Sequence, residues 1–170
     1  MTENNASMDD KPKWIAVLED AFGVPSQAAF GTAVFYERLS DEPTTTESPI
    51  LEQHALKWYQ HFCGETWQKF GPKAWIGEWK LVYRRPRKAS SILEELNSLE
   101  DPQTRMNAET MLDGAPDPQA ARSALEEAFD DPNTVELLVF KMGDGGAMSG
   151  LMIVGRRSNQ ESACVAFLLD

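Results

Sequence analysis

Three apolar runs close the chain: ELLVFKM at 136–142, SGLMIVGRR at 149–157 and ACVAFLL at 163–169, separated by the turn sequences GDGGA at 143–147 and SNQES at 158–162. Connections this short cannot carry a crossover, so the three segments must be antiparallel neighbours in one sheet. The runs scarcely alternate between apolar and polar residues. That pattern predicts central strands covered on both faces, or on one face and by a partner. The glycines at Gly143, Gly145, Gly146 and Gly150 precede a strand rather than a helix. They read as hairpin glycines and not as a phosphate-binding loop.

Upstream the spacing turns helical. Trp14, Ile15, Val17, Leu18, Ala21 and Phe22 recur on one face, with Pro12 suited to the first turn and Gly23 and Pro25 as the stop. TAVFYERL at 32–39 is read as a strand from its β-branched and aromatic residues, although Phe30 and Val34 also fit a helix. After a loop at 40–49, Ser48 and Pro49 signal a helix with Leu51, Ala55, Trp58, Phe62 and Thr66 on one face. Gly64 weakens or bends it, and Gly71-Pro72 ends it. Residues 74–84 alternate, with Trp75, Trp79, Leu81 and Tyr83 on one side, which predicts a half-buried strand. Three helices follow. Ser91 and Glu94 form a capping box, Asp101-Pro102 opens the second helix, which ends at Gly114, and Asp117-Pro118 opens the third, with Ala121, Ala124, Leu125, Ala128 and Phe129 as its apolar stripe.

The expected fold is α+β: an antiparallel sheet of about five strands, with the C-terminal three-stranded meander, and helices packed mostly on one face. Residues 1–11 are expected to form a disordered tail and 12–170 a single domain. The polar, acidic start lacks a secretory pattern, and no apolar run is long enough to span a membrane. Cys63 falls in a helical pattern and Cys164 in a strand pattern, so both are expected as buried thiols in a cytoplasmic protein.

Charge is the strongest functional signal. The net charge is −11 with a pI near 4.6, which argues against nucleic acid and anionic membranes as partners. Residues 61–97 are net +3 and residues 98–134 net −7. The basic island is Arg84, Arg85, Arg87 and Lys88, and arginine forks of this kind suit carboxylates or phosphates. Its plainer reading is internal, as an offset to the acidic helices that follow. The acidic face includes Asp101, Glu109, Asp113, Asp117, Glu126, Glu127, Asp130 and Asp131. The plainer reading is a solvated face in which four of these acids serve as helix-cap or first-turn residues, and the functional reading is a docking surface for a basic partner.

Two further groupings have chemical potential. His54 and His61 are seven apart on one helix face, and Glu65 follows His61 by four, a spacing that can hold a metal. No second ligand cluster appears, and Cys63 has no cationic neighbour except His61 to activate it. No metal, no cofactor and no catalytic residue are therefore expected. The tryptophans Trp58, Trp67 and Trp75 are read mainly as core, with Trp67 off the helical stripe.

Together these features predict a small, acidic, soluble, non-enzymatic binding protein of the inhibitor, immunity-protein or dedicated-chaperone type, masking a basic protein partner. Its contact residues are expected among Asp113, Asp117, Glu126, Glu127, Asp130 and Asp131. The alternative is an enzyme or small-molecule-binding domain using a Trp-rich cleft formed by Trp58, Trp67 and Trp75 near His54 and His61.

Overall fold

The computed structural model describes residues 11–28, 30–39, 49–86 and 91–169. The tail expected over 1–11 lies outside them except for Lys11, as do Ser48, Arg87 and Lys88. The C-terminal runs form the expected meander of β3 (Thr134–Gly143), β4 (Ser149–Arg157) and β5 (Glu161–Leu169). Two earlier strands complete a five-stranded sheet: β1 (Gly31–Arg38) pairs with β5 and β2 (Lys80–Arg84) with β3, giving the order β1-β5-β4-β3-β2, antiparallel throughout. Residues 32–38 are thus settled as strand, with Leu39 just past its end. All eight residues of β1 pair with β5, from Gly31 opposite Leu168 to Arg38 opposite Glu161.

Consecutive residues in the meander point to opposite faces, and both faces are dry. Leu137, Val139, Leu151, Ile153, Val165 and Phe167 belong to one core, and Leu138, Phe140, Met152, Val154, Cys164 and Ala166 to another. The first core is covered by α1 (Lys13–Phe22), α5 (Ile92–Asn97), α6 (Pro102–Asp113) and α7 (Pro118–Phe129). The second is covered by α2 (Pro49–Cys63), α3 (Thr66–Lys69) and α4 (Pro72–Glu78). The helical cover is therefore shared between the faces rather than gathered mostly on one. The unbroken apolar runs require it, because a bare face would expose every second residue of three strands.

Three local expectations change. The strand expected over 74–84 begins only at Lys80, because Pro72 opens α4 after Gly71, which sits at φ +96°. Trp75 is fully buried on that helix, and its indole N–H donates to the Thr66 carbonyl at 3.0 Å. The long helix is broken rather than bent at Gly64, which adopts φ +56°. A Cβ there would meet the Gln27 carbonyl oxygen at 3.0 Å. Pro12 stands at the N-cap of α1 rather than inside its first turn.

Candidate functional site

The basic island is internal as far as the structure describes it. Arg85 grips Glu95 bidentately, Nη2 to Oε1 at 2.6 Å and Nε to Oε2 at 2.9 Å. Its Nη1 donates to the Phe129 carbonyl at 2.7 Å, at the end of α7, and Nη2 also reaches Asp130 at 3.2 Å. Burial opposes the charge of Arg85, but Glu95 and Asp130 outweigh it and hold the guanidinium pKa above its ordinary value. Arg84 spans Glu52 at 2.9 Å and Glu136 at 3.3 Å, and Glu136 also accepts from Arg156 Nε at 3.1 Å. Burial pushes the Glu136 carboxyl up despite both arginines. These forks are occupied by the protein's own carboxylates.

The histidines separate. His54 Nδ1 lies 2.8 Å from Glu37 Oε1 on β1, whereas His61 packs edge-on against Phe35. Among the described residues no group of three or more His, Cys, Asp or Glu is placed to hold a metal. Cys63 and Cys164 are buried free thiols. Burial pushes Cys63 up to about 12, with Asp144 adding to it, and lifts Cys164 well above the ordinary range. Both are therefore poor nucleophiles at neutral pH.

Trp58, Trp67 and Trp75 all lie in the core beneath α2–α4, Trp67 included despite its place off the stripe. Tyr59 organises them. Its ring meets Trp67 and Trp75 edge-on and stacks on Trp79 at 4.7 Å, and its hydroxyl donates to the Gly143 carbonyl at 2.9 Å. An open groove of about 530 Å³ runs along the end of α2, with His61, Gln60, Gln68 and Lys57 on its walls and an edge of Trp67 in its lining. Of the five residues expected in a cleft, it includes His61 and Trp67.

The acidic residues divide by role. Asp101 and Asp117 are N-caps, accepting from the Thr104 and Ala120 amides at 2.9 and 3.1 Å. Asp130 accepts from the Ile92 amide at 2.9 Å besides Arg85, and burial raises its pKa despite these bonds. Asp131 accepts from the Asn133 amide at 2.8 Å and lies 3.7 Å from Arg157. Asp113 pairs with Arg122 at 2.8 Å. Glu126 and Glu127 are exposed, and neither carboxylate has an ion-pair partner among the described residues. The same holds for Asp20 on α1, an exposed acid that sequence reading missed because it was counted with the acidic N-terminal region.

The two helical layers differ sharply in charge. Residues 91–133 carry eleven acids and two bases, and residues 49–78 three of each. Placement sharpens the contrast. Glu19 and Asp20 stand in the last turn of α1, Asp113 in that of α6, and Glu126 and Glu127 in that of α7, and none of these last turns carries a base. A helix C-terminus carries partial negative charge, so acids there oppose helix stability. Comparison with protein-family models, with curated proteins and with solved structures gave no match. Among the described residues no helix is long and apolar enough to cross a membrane.

Proposed function

We propose that this chain is a non-enzymatic cytoplasmic binding protein, of the inhibitor, immunity-protein or dedicated-chaperone type, whose acidic helical layer masks a basic partner protein. The observation that carries this reading is the set of acids at the C-terminal ends of α1, α6 and α7, with Asp20, Glu126 and Glu127 exposed and unpaired among the described residues. Carboxylates in such positions work against the helix dipole, so helix stability does not account for them. Complementary charge at a docking surface does, because it steers encounter and rejects wrong partners. A surface of this sign also repels nucleic acid. Asp130 and Asp131 are set aside from the contact set, since they serve Arg85, Ile92, Asn133 and Arg157 internally.

The test is affinity enrichment at low ionic strength, identification of the bound protein, and association kinetics with that protein purified. Glu126→Lys with Glu127→Lys should slow association about tenfold at low salt, with the difference shrinking as salt rises. An unchanged association rate would remove this surface from the function. The second reading, a polar small molecule in the groove by His61 and Trp67, is favoured by the amide-rich walls of that groove. It predicts stabilisation of the protein by one compound in a thermal screen and no response to the lysine pair.

A further inference from the structure

An apolar groove interrupts the acidic layer where the end of α1 meets the connection between α6 and α7. It has two lobes of about 300 and 280 Å³ that share Ala21 and Pro116. The inner lobe reaches down to Phe22, Met111 and Phe167, and the outer lobe is lined by Val17 and Ala120 and edged by Asp20 and Asp117. Each lobe lies near the lower end of ligand-sized clefts (about 300–1,000 Å³), a size suited to one or two side chains of a docked segment.

Two kinds of negative charge converge on it. α1 ends at Phe22 and α6 at Asp113, so the carbonyl ends of two helices of ten and twelve residues meet at the inner lobe. Asp20 and Asp117 add full charges at the outer lobe. The opposing dipole of α7, whose N-terminus lies here, is offset by its own cap, Asp117 to the Ala120 amide at 3.1 Å. An apolar floor under an anionic rim selects a ligand that is apolar at its centre and cationic at its flanks.

We infer that this groove is the anchor site for a basic partner: it takes one large apolar side chain flanked on both sides by Lys or Arg. The inference rests on the reading of the acidic layer as a docking surface and supplies what charge alone does not. Exposed charges mainly set the association rate, whereas a buried apolar anchor slows dissociation.

The probe is a pair of labelled synthetic peptide pools with Lys and Arg flanks, one with Leu, Phe or Met at the centre and its twin with Ser there. Binding is read by fluorescence polarisation at low salt. The apolar pool should bind about tenfold or more tightly than the Ser pool, the worth of burying one such side chain. Ala120→Trp, at an exposed position that fills the outer lobe, should erase that difference while leaving the circular dichroism spectrum and melting transition in place. Asp20→Lys should weaken both pools. Equal binding of the two pools, or a preference that survives Ala120→Trp, would overturn the anchor site. If the equal binding is still lost on Glu126→Lys with Glu127→Lys, the docking surface stands without its anchor. If neither pool binds at low salt, both readings fall.

Discussion

At Glu95 a carboxylate is taken almost wholly out of water, 4% exposed, and three elements meet on it. Arg85 brings the end of β2, Tyr83 donates its hydroxyl at 2.5 Å, and the same guanidinium ties down the Phe129 carbonyl at the end of α7. The arrangement fastens α5 and α7 to the sheet edge. Removing one partner of such a pair leaves a buried charge unpaired, at a cost of about 3–5 kcal/mol. Arg85→Met should therefore lower stability by that amount in urea unfolding, and adding Glu95→Met should recover most of it. A loss below about 1 kcal/mol would show that the network is dispensable. The thiols give a second prediction at this scale. Burial, aided by Asp144, lifts Cys63 from 9.0 to about 12 in the folded chain. A raised folded pKa means that the neutral thiol is the stabilised form. Its contribution is full below the ordinary thiol value and is lost as pH rises through about 12. At pH 8 a disulfide reagent should leave Cys63 and Cys164 of the native protein unmodified and label both in urea. Rapid labelling of either in the native protein would contradict its burial.

Among the elements, β4 and β5 approach so closely that glycine is required between them. A Cβ at Gly150 would fall 1.7 Å from the Phe167 carbonyl oxygen, which no local adjustment accommodates. Gly150→Ala should separate β4 from β5 and abolish cooperative unfolding. Retention of the wild-type melting transition would show that the strands can part at this point without cost. Gly150 looked like one more hairpin residue in the sequence, where its closeness to Phe167 leaves no trace. The meander itself was legible, because short turns between apolar runs allow one topology. So were the caps at Ser91, Asp101 and Asp117, which need only local hydrogen bonds. Residues 74–79 were not, since Trp75 and Trp79 lie four apart, a spacing shared by one helix face and one strand face. The candidate site was legible in its charge and opaque in its shape. Glu126 and Glu127 could be picked out as off-stripe acids. The groove, in contrast, joins α1, the α6–α7 connection and β5, and no local pattern relates Ala21 to Pro116 or Phe167. The arginines could be seen as a cluster, but their partners Glu95, Glu136 and Glu52 come from three other elements.

For the whole molecule, the sheet acts as a partition between two helical layers of different charge. One is balanced and encloses an aromatic core, and the other is strongly acidic and contains an apolar groove. If the acids at the helix ends serve docking, they do so at the expense of folding, because each opposes a helix dipole and repels its neighbours. The two properties should then change in opposite directions. Neutralising Asp20, Glu126 and Glu127 together, as Asp20→Asn, Glu126→Gln and Glu127→Gln, removes three charges whose carboxylates make no ion pair or side-chain hydrogen bond among the described residues. Each change should stabilise the fold by about 0.3–1 kcal/mol at low ionic strength, so the triple variant should melt several degrees higher in a dilute buffer. The gain should fade as added salt screens the wild-type repulsion. The same variant should associate more slowly with a basic partner. A layer whose acids merely keep the chain in solution gives a different result, with a higher melting temperature and no change in association rate. A lower melting temperature would mean that the carboxylates stabilise the helices after all, so that their placement needs no docking partner to account for it.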